Sequence, residues 1–132
     1  MIFILIFLIL FMLFIYGMCD AADDIIWNKT KYDASIFKKL KNQAFWDMDR
    51  YWNKVPVIYG YPVNAWHILK SLKLICVFIL PFLYLMLKTT IFSLMFPSIN
   101  IYLGMFLDFL FIGFFEVSVF NIFYNKIFFK KK

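Results

Sequence analysis

Six side chains carry most of the chemistry this chain could perform in an apolar setting: Cys19, His67, Cys76, Lys88, Asp108 and Glu116. Asp108 and Glu116 stand eight positions apart within the apolar run Ile101 to Tyr124, so a helix there turns both toward broadly the same side. Carboxylates inside a bilayer are costly, and each is there for a function or for a partner. Two roles are open: a proton relay, or structural pairing with a cation or donor on a neighbouring helix. Lys88 is the cation within reach. It lies about ten residues before the middle of Pro97-Ser98-Ile99-Asn100, and Asp108 lies about ten after it. An antiparallel hairpin therefore sets the two at equal depth, roughly 12–15 Å from the turn and near the middle of a ~30 Å hydrocarbon core. Either charge alone costs at least ~2.5–3.5 kcal/mol at that depth. The sequence predicts a Lys88–Asp108 ion pair, with Thr89, Thr90 and Ser93 supplying further hydrogen bonds. Glu116 is the second intramembrane carboxylate, with no cation assigned.

The remaining candidates carry less. His67 is the chain's one histidine; as an axial haem ligand it needs a second ligand from another chain. Flanked by Trp66 and Ile68, it reads as a packed or hydrogen-bonding residue at the membrane surface. Cys19 and Cys76 form no CxxC pair, and with one histidine they cannot complete a zinc or iron–sulfur site. Each lies in or beside an apolar run, so a disulfide framework is not expected. No nucleophile motif surrounds His67. The expectation is no catalytic residue, no cofactor and no metal: not an enzyme in its own right, but a subunit of one.

The elements that must position these groups follow from composition. The chain is 64% hydrophobic, 23% aromatic and 17% charged. Soluble domains run near half apolar and a quarter charged, so an ordinary water-soluble fold is excluded. Residues 1–19, 74–96 and 101–124 read as three transmembrane helices, the last two joined by the 97–100 turn as a C-terminal hairpin. A hydrophobic start ending in Gly17-Met18-Cys19 also suits a secretory signal, with Asn28-Lys29-Thr30 as a lumenal glycosylation sequon. No basic residue precedes the apolar run, and a retained helix is the expectation.

Between the first and second spans, residues 20–73 form the polar region. Tyr32, Ile36, Leu40, Ala44 and Met48 recur at steps of four, with Lys and Asp residues largely elsewhere. This spacing predicts an amphipathic helix over 33–54, capped by Asp33 and ended by Pro56. Its aromatic side, with Trp46 and Trp52 as interfacial anchors, suits the headgroup layer or a partner surface. Val55 to Val63 reads as an extended segment, and 125–132 as a basic tail. The fold class is thus an all-α membrane protein with three spans and one interfacial helix.

Charge sets the orientation. With three spans, the 20–73 region and the C-terminal tail share one side, and they hold every Lys and Arg except Lys88. The positive-inside rule makes that the matrix side in a mitochondrion. The net charge of +6 needs no nucleic acid to explain it, and no small-molecule substrate is implied. Phe, Ile, Asn, Lys and Tyr, the residues of AT-rich codons, make up 65 of 132 positions, and Lys outnumbers Arg 13 to 1. Membrane physics does not require that bias; it is the mark of an AT-rich genome, such as that of a protist organelle or a parasite.

A small Phe- and Ile-rich chain with three spans and a long first loop resembles organelle-encoded subunits of respiratory complexes. In span number, loop position and length it is nearest to subunit 3 of NADH:quinone oxidoreductase. That family's Tyr-Glu-Cys-Gly loop segment and Phe-Asp-Leu-Glu second-span run have no counterpart here. Lys88 stands where the family is acidic, and Phe115-Glu116-Val117 shares only an acidic residue late in the third span. The resemblance implies a three-span fold in a large assembly and transfers no residue's role. The expected function is that of a non-catalytic subunit of a mitochondrial inner-membrane respiratory-chain complex in an AT-rich protist. Its partners are other membrane subunits and lipids. An ATP synthase subunit, a proton- or quinone-path subunit using Asp108 and Glu116, and a secretory or plastid membrane protein are the alternatives.

Overall fold

A computed structural model describes residues 2–41, 43–46, 57–58, 61–62 and 64–128. Helix α1 (Ile2–Trp27) is followed by two short helices, α2 (Lys29–Ala34) and α3 (Gln43–Trp46). A two-residue antiparallel ladder, β1 (Val57–Ile58) with β2 (Tyr61–Pro62), precedes α4 (Ala65–Met86). A single turn, α5 (Ile91–Met95), then leads to α6 (Ile101–Ile122), which continues in wider turns over Phe123–Phe128. Among the described residues, three helical stretches are long and apolar enough to cross a membrane: Ile2–Trp27, Ala65–Met95 and Ile101–Phe128. This suits a membrane location, because backbone polar groups in lipid must be paired within the chain and helices do so locally.

Helix α1 is the axis of the fold. Leu5, Ile9, Leu13, Gly17, Ala21 and Ile25 are all buried, a stripe at steps of four that α4 and α6 cover from two sides. Gly17 sets the closest approach: a Cβ there would lie 3.0 Å from Val119 Cγ1 and 3.1 Å from the Glu116 carbonyl oxygen. Small residues let membrane helices touch where lipid supplies no hydrophobic drive. Leu5, Ile9 and Leu13 meet Leu87 and Ile91 in one cluster, flanked by Leu80, Leu83, Ile112 and Phe115. A second cluster, of Ala22, Ile25, Ile26, Tyr32, Phe37 and Ala65, closes the other end, with Trp66, Tyr124 and Phe128 against it.

The amphipathic helix expected over 33–54 is not continuous where it is described. Asn28, not Asp33, starts the helix, its side chain accepting from Lys31 N at 3.2 Å. Ser35 ends it in extended backbone, its hydroxyl donating to the Tyr32 carbonyl at 2.7 Å and accepting from Phe37 N at 3.2 Å. A serine that satisfies local backbone groups competes with the helical ladder, and here it wins. Gln43 then stabilises the interrupted chain, donating to the carbonyls of Lys38 at 3.0 Å and Leu40 at 2.6 Å while accepting from the Tyr32 hydroxyl at 2.7 Å. Tyr32 is 2% exposed, whereas Leu40 on the supposed buried stripe is 39% exposed. Residues 47–54, including Trp52, lie outside the described residues.

The second span also differs from the expected 74–96. It starts nine residues earlier, at Ala65, because Asn64 caps it by accepting from His67 N at 2.9 Å. It breaks after Met86, and Thr90 restarts the chain as α5.

Candidate functional site

The break in the second span is where the chain's intramembrane chemistry converges. Lys88 adopts a left-handed backbone, φ 58°, which turns the chain out of α4. The restarted helix α5 points its first amides into the protein, where Thr90, Ile91 and Asp108 are all buried. Asp108, reaching across from α6 and 1% exposed, accepts them: Oδ2 from Ile91 N at 2.7 Å and Oδ1 from Phe92 N at 2.9 Å. The Tyr84 hydroxyl, from the last turn of α4, donates to Oδ2 at 2.6 Å. Thr90 completes the cap, its Oγ1 accepting from Ser93 N at 2.9 Å. The first-turn donors of α5 are thus satisfied, and one carboxylate holds three segments together. Hydrogen bonds to a charged acceptor are the strong ones, and a negative charge at a helix start is favourably placed.

Gly104 makes this approach possible. A Cβ there would collide with the Thr90 hydroxyl oxygen and lie 2.8 Å from that of Ser93. Gly113, nine residues on, has nothing within 4 Å of the position a Cβ would take; of these two glycines, only the first is at a close helix contact.

The predicted Lys88–Asp108 ion pair is therefore corrected. Lys88 forms no ion pair among the described residues, and its side chain is exposed. Both carboxylate oxygens already accept from donors fixed by the chain's own turn. A left-handed backbone costs a non-glycine residue about 1–2 kcal/mol. Lys88→Gly is accordingly expected to raise the fold's stability by about 1 kcal/mol, read as a higher unfolding midpoint in detergent. A drop of that size would restore a structural role to the ammonium.

At the opposite end, Lys73 joins two carboxylates of α1, bonding Asp20 Oδ1 and, at 3.1 Å, Asp23 Oδ2. Lys31 pairs with Asp24 at 2.7 Å and lies 5.1 Å above the Tyr124 ring; the Asp24 hydrogen bond, then Tyr124, holds its ammonium pKa above the ordinary lysine value. That pair's contribution is present at neutral pH and is lost as pH climbs from the ordinary lysine value through the raised one. Lys70 sits 3.8 Å over the Trp66 ring, and Trp66 stacks on Trp27 at 5.5 Å. Asp20, Asp23, Asp24, Trp27, Trp66, Lys70 and Phe120 line a cleft of about 450 Å³. Lys73→Met strands Asp20 and Asp23 together; since all three side chains retain some exposure, the expected loss is about 1–2 kcal/mol. Lys73→Arg should keep most of it, and equal unfolding midpoints for Met and wild type would remove the pair from the fold's stability.

Glu116 stands apart from these bonded groups. It is half-buried and lines a cleft of about 220 Å³ with Leu13, Tyr16, Val77, Leu80, Ile112 and Gly113. Its carboxylate makes no hydrogen bond or ion pair among the described residues.

The other sequence candidates fall into structural positions. His67 Nδ1 lies 2.8 Å from Asn64 Oδ1 and its ring meets Trp66 edge-on at 4.7 Å, so it belongs to the start of α4. Trp46 is half-buried and stacks on Phe37 at 5.2 Å. Cys19 and Cys76 are buried and free, the latter against Met12 Sδ at 3.9 Å. Among the described residues, no group of three or more His, Cys, Asp or Glu side chains is placed to hold a metal. Tyr84 and Lys73, and Thr90 in its role as a helix cap, were missed from sequence. Thr90 followed by Ser93 before an apolar turn was the available cap signal; Tyr84 and Lys73 had none. Comparison with protein-family models, curated proteins and solved structures finds no match to this chain.

Proposed function

We propose that this chain is a non-catalytic membrane subunit of a larger mitochondrial inner-membrane assembly, a respiratory-chain complex before an ATP synthase, in an AT-rich protist. The observation that carries the reading is how little the three spans cover one another. Within their most apolar windows only 28%, 22% and 17% of residues are buried inside the chain. Phe3, Phe78, Phe82, Phe109 and Phe114 all project outward, each more than 60% exposed. Aromatic surface of this extent and rigidity fits lipid and neighbouring subunits, and its contacts contribute packing rather than chemistry. The use of Asp108 as a helix clasp supports a structural role over a proton-relay role for that residue. The basic cap formed by the 20–46 region and α4's first turns would face the matrix, with its aromatic cluster at the headgroup layer.

The test is purification from native membranes in mild detergent, followed by mass spectrometry of what accompanies the chain. Stoichiometric recovery with quinone-, haem- or rotor-bearing subunits is the expected result. Recovery as a lone species in every mild detergent would overturn the reading.

A further inference from the structure

The three spans leave a groove. Helix α1 packs against both α4 and α6, yet α4 and α6 scarcely touch each other. They meet at the Tyr84–Asp108 hydrogen bond. Two clefts follow the gap: about 320 Å³ lined by Tyr84, Met105, Asp108, Phe109 and Ile112, then the Glu116 cleft, which shares Ile112. The floor is apolar, from Leu13 and Tyr16 of α1. Gly113 leaves the α6 wall bare, with open space where a side chain would stand. Into this apolar channel the Glu116 side chain brings a carboxylate that makes no hydrogen bond or ion pair among the described residues.

We infer that the groove seats a fourth transmembrane helix, from a partner subunit, carrying one Lys or Arg that pairs with Glu116. The inference rests on the subunit reading above and names what that subunit binds. Charge complementarity decides the occupant's chemistry. Asp20 and Asp23 already share Lys73, so Glu116 has no ion-pairing cation among the described residues, although the whole chain carries +6. An uncompensated carboxylate in a membrane segment is costly, and a cation delivered on an apolar helix offsets that cost while filling the gap. Glu116 lies near the level of Asp20 and Lys73 along α1, so the incoming cation sits close to the partner helix's basic-side end. There a long side chain can reach inward from the boundary. A bare glycine on the groove wall permits close backbone approach. A lipid chain or a quinone tail would fill the apolar channel but leave the carboxylate unpaired.

The test uses the full chain in its native membrane, with Glu116→Gln and Gly113→Leu introduced separately. Glu116→Gln keeps the shape and removes the charge; Gly113→Leu extends a side chain into the groove from a position whose Cβ meets nothing within 4 Å. Incorporation into the assembly is read by native electrophoresis in digitonin, and the fold of each variant by its unfolding midpoint. Both variants are expected to fold as wild type and to incorporate at least tenfold less. Carbodiimide labelling provides the second readout, since it modifies accessible carboxyl groups in apolar surroundings. Glu116 should be protected in the intact assembly and labelled once the chain is released by harsher detergent. Normal incorporation of Glu116→Gln, or equal labelling of Glu116 in both states, overturns the docked cation, as does a lipid or quinone found in the groove. These outcomes are distinct from failure of the subunit reading, in which the wild-type chain itself enters no assembly.

Discussion

Replacing Asp108 by Ala is expected to cost the fold roughly 3–6 kcal/mol, because it strands three donors at once around a site that is 1% exposed. Ile91 N, Phe92 N and the Tyr84 hydroxyl all lose their acceptor. Unfolding in mixed micelles with increasing sodium dodecyl sulfate measures the loss. Asp108→Asn keeps one carbonyl acceptor and should lose less, about 1–2 kcal/mol. The partner assignment is tested by two double-mutant cycles. Tyr84→Phe with Asp108→Ala should be non-additive by at least ~0.5 kcal/mol, since both remove the same bond. Lys88→Met with Asp108→Leu should be additive within about 0.5 kcal/mol. Recovery of stability in that second cycle would reinstate the ion pair that charge spacing suggests.

Gly104→Ala is expected to cost about 1–3 kcal/mol, the range for forcing one extra methyl into a packed contact. The added carbon collides with the Thr90 hydroxyl oxygen, which itself caps α5 and donates to Ser93 Oγ at 2.6 Å. Relief by rotating Thr90 therefore gives up the cap. Gly113→Ala on the same helix meets nothing and should be neutral or stabilising by up to about 1 kcal/mol, as alanine is the better helix former. Thermal midpoints of the two variants in one detergent check the contrast. Equal effects would mean that α5 does not pack on Gly104.

The contrast between the two glycines shows where sequence reasoning stops. Both look alike in an apolar helix, and only the position of α5 distinguishes them. The same holds for the carboxylates. Their cost in lipid was legible from residue type and surroundings, but the partner of Asp108 was not. Counting residues from the 97–100 turn matched Lys88 to Asp108 on the premise of an unbroken helix. The break at 87–90 removed that premise, and the donors it freed were backbone amides, which every residue has and no composition flags. Ser35 and Gln43 likewise turned a periodic stripe into a compact fold-back by local hydrogen bonds that a hydrophobic period does not register.

The sequence by itself determined the solvent this chain is built for, the three apolar stretches long enough to cross it, and the charge asymmetry between its ends. These follow from bulk quantities, since transfer free energy and span length sum over many residues and tolerate local exceptions. Only the tertiary structure decided which face of each span is buried. In α1 nearly every residue is apolar, so periodicity has no polar positions against which to register a face. Leu5, Ile9, Leu13 and Gly17 became the inner stripe, with Gly17 letting α6 approach so closely that a Cβ there would lie 3.0 Å from Val119 Cγ1. Close approach then fixed which donors met Asp108 and left Glu116 facing the gap, because in lipid shape complementarity and hydrogen-bond satisfaction, not hydrophobicity, select among helix arrangements.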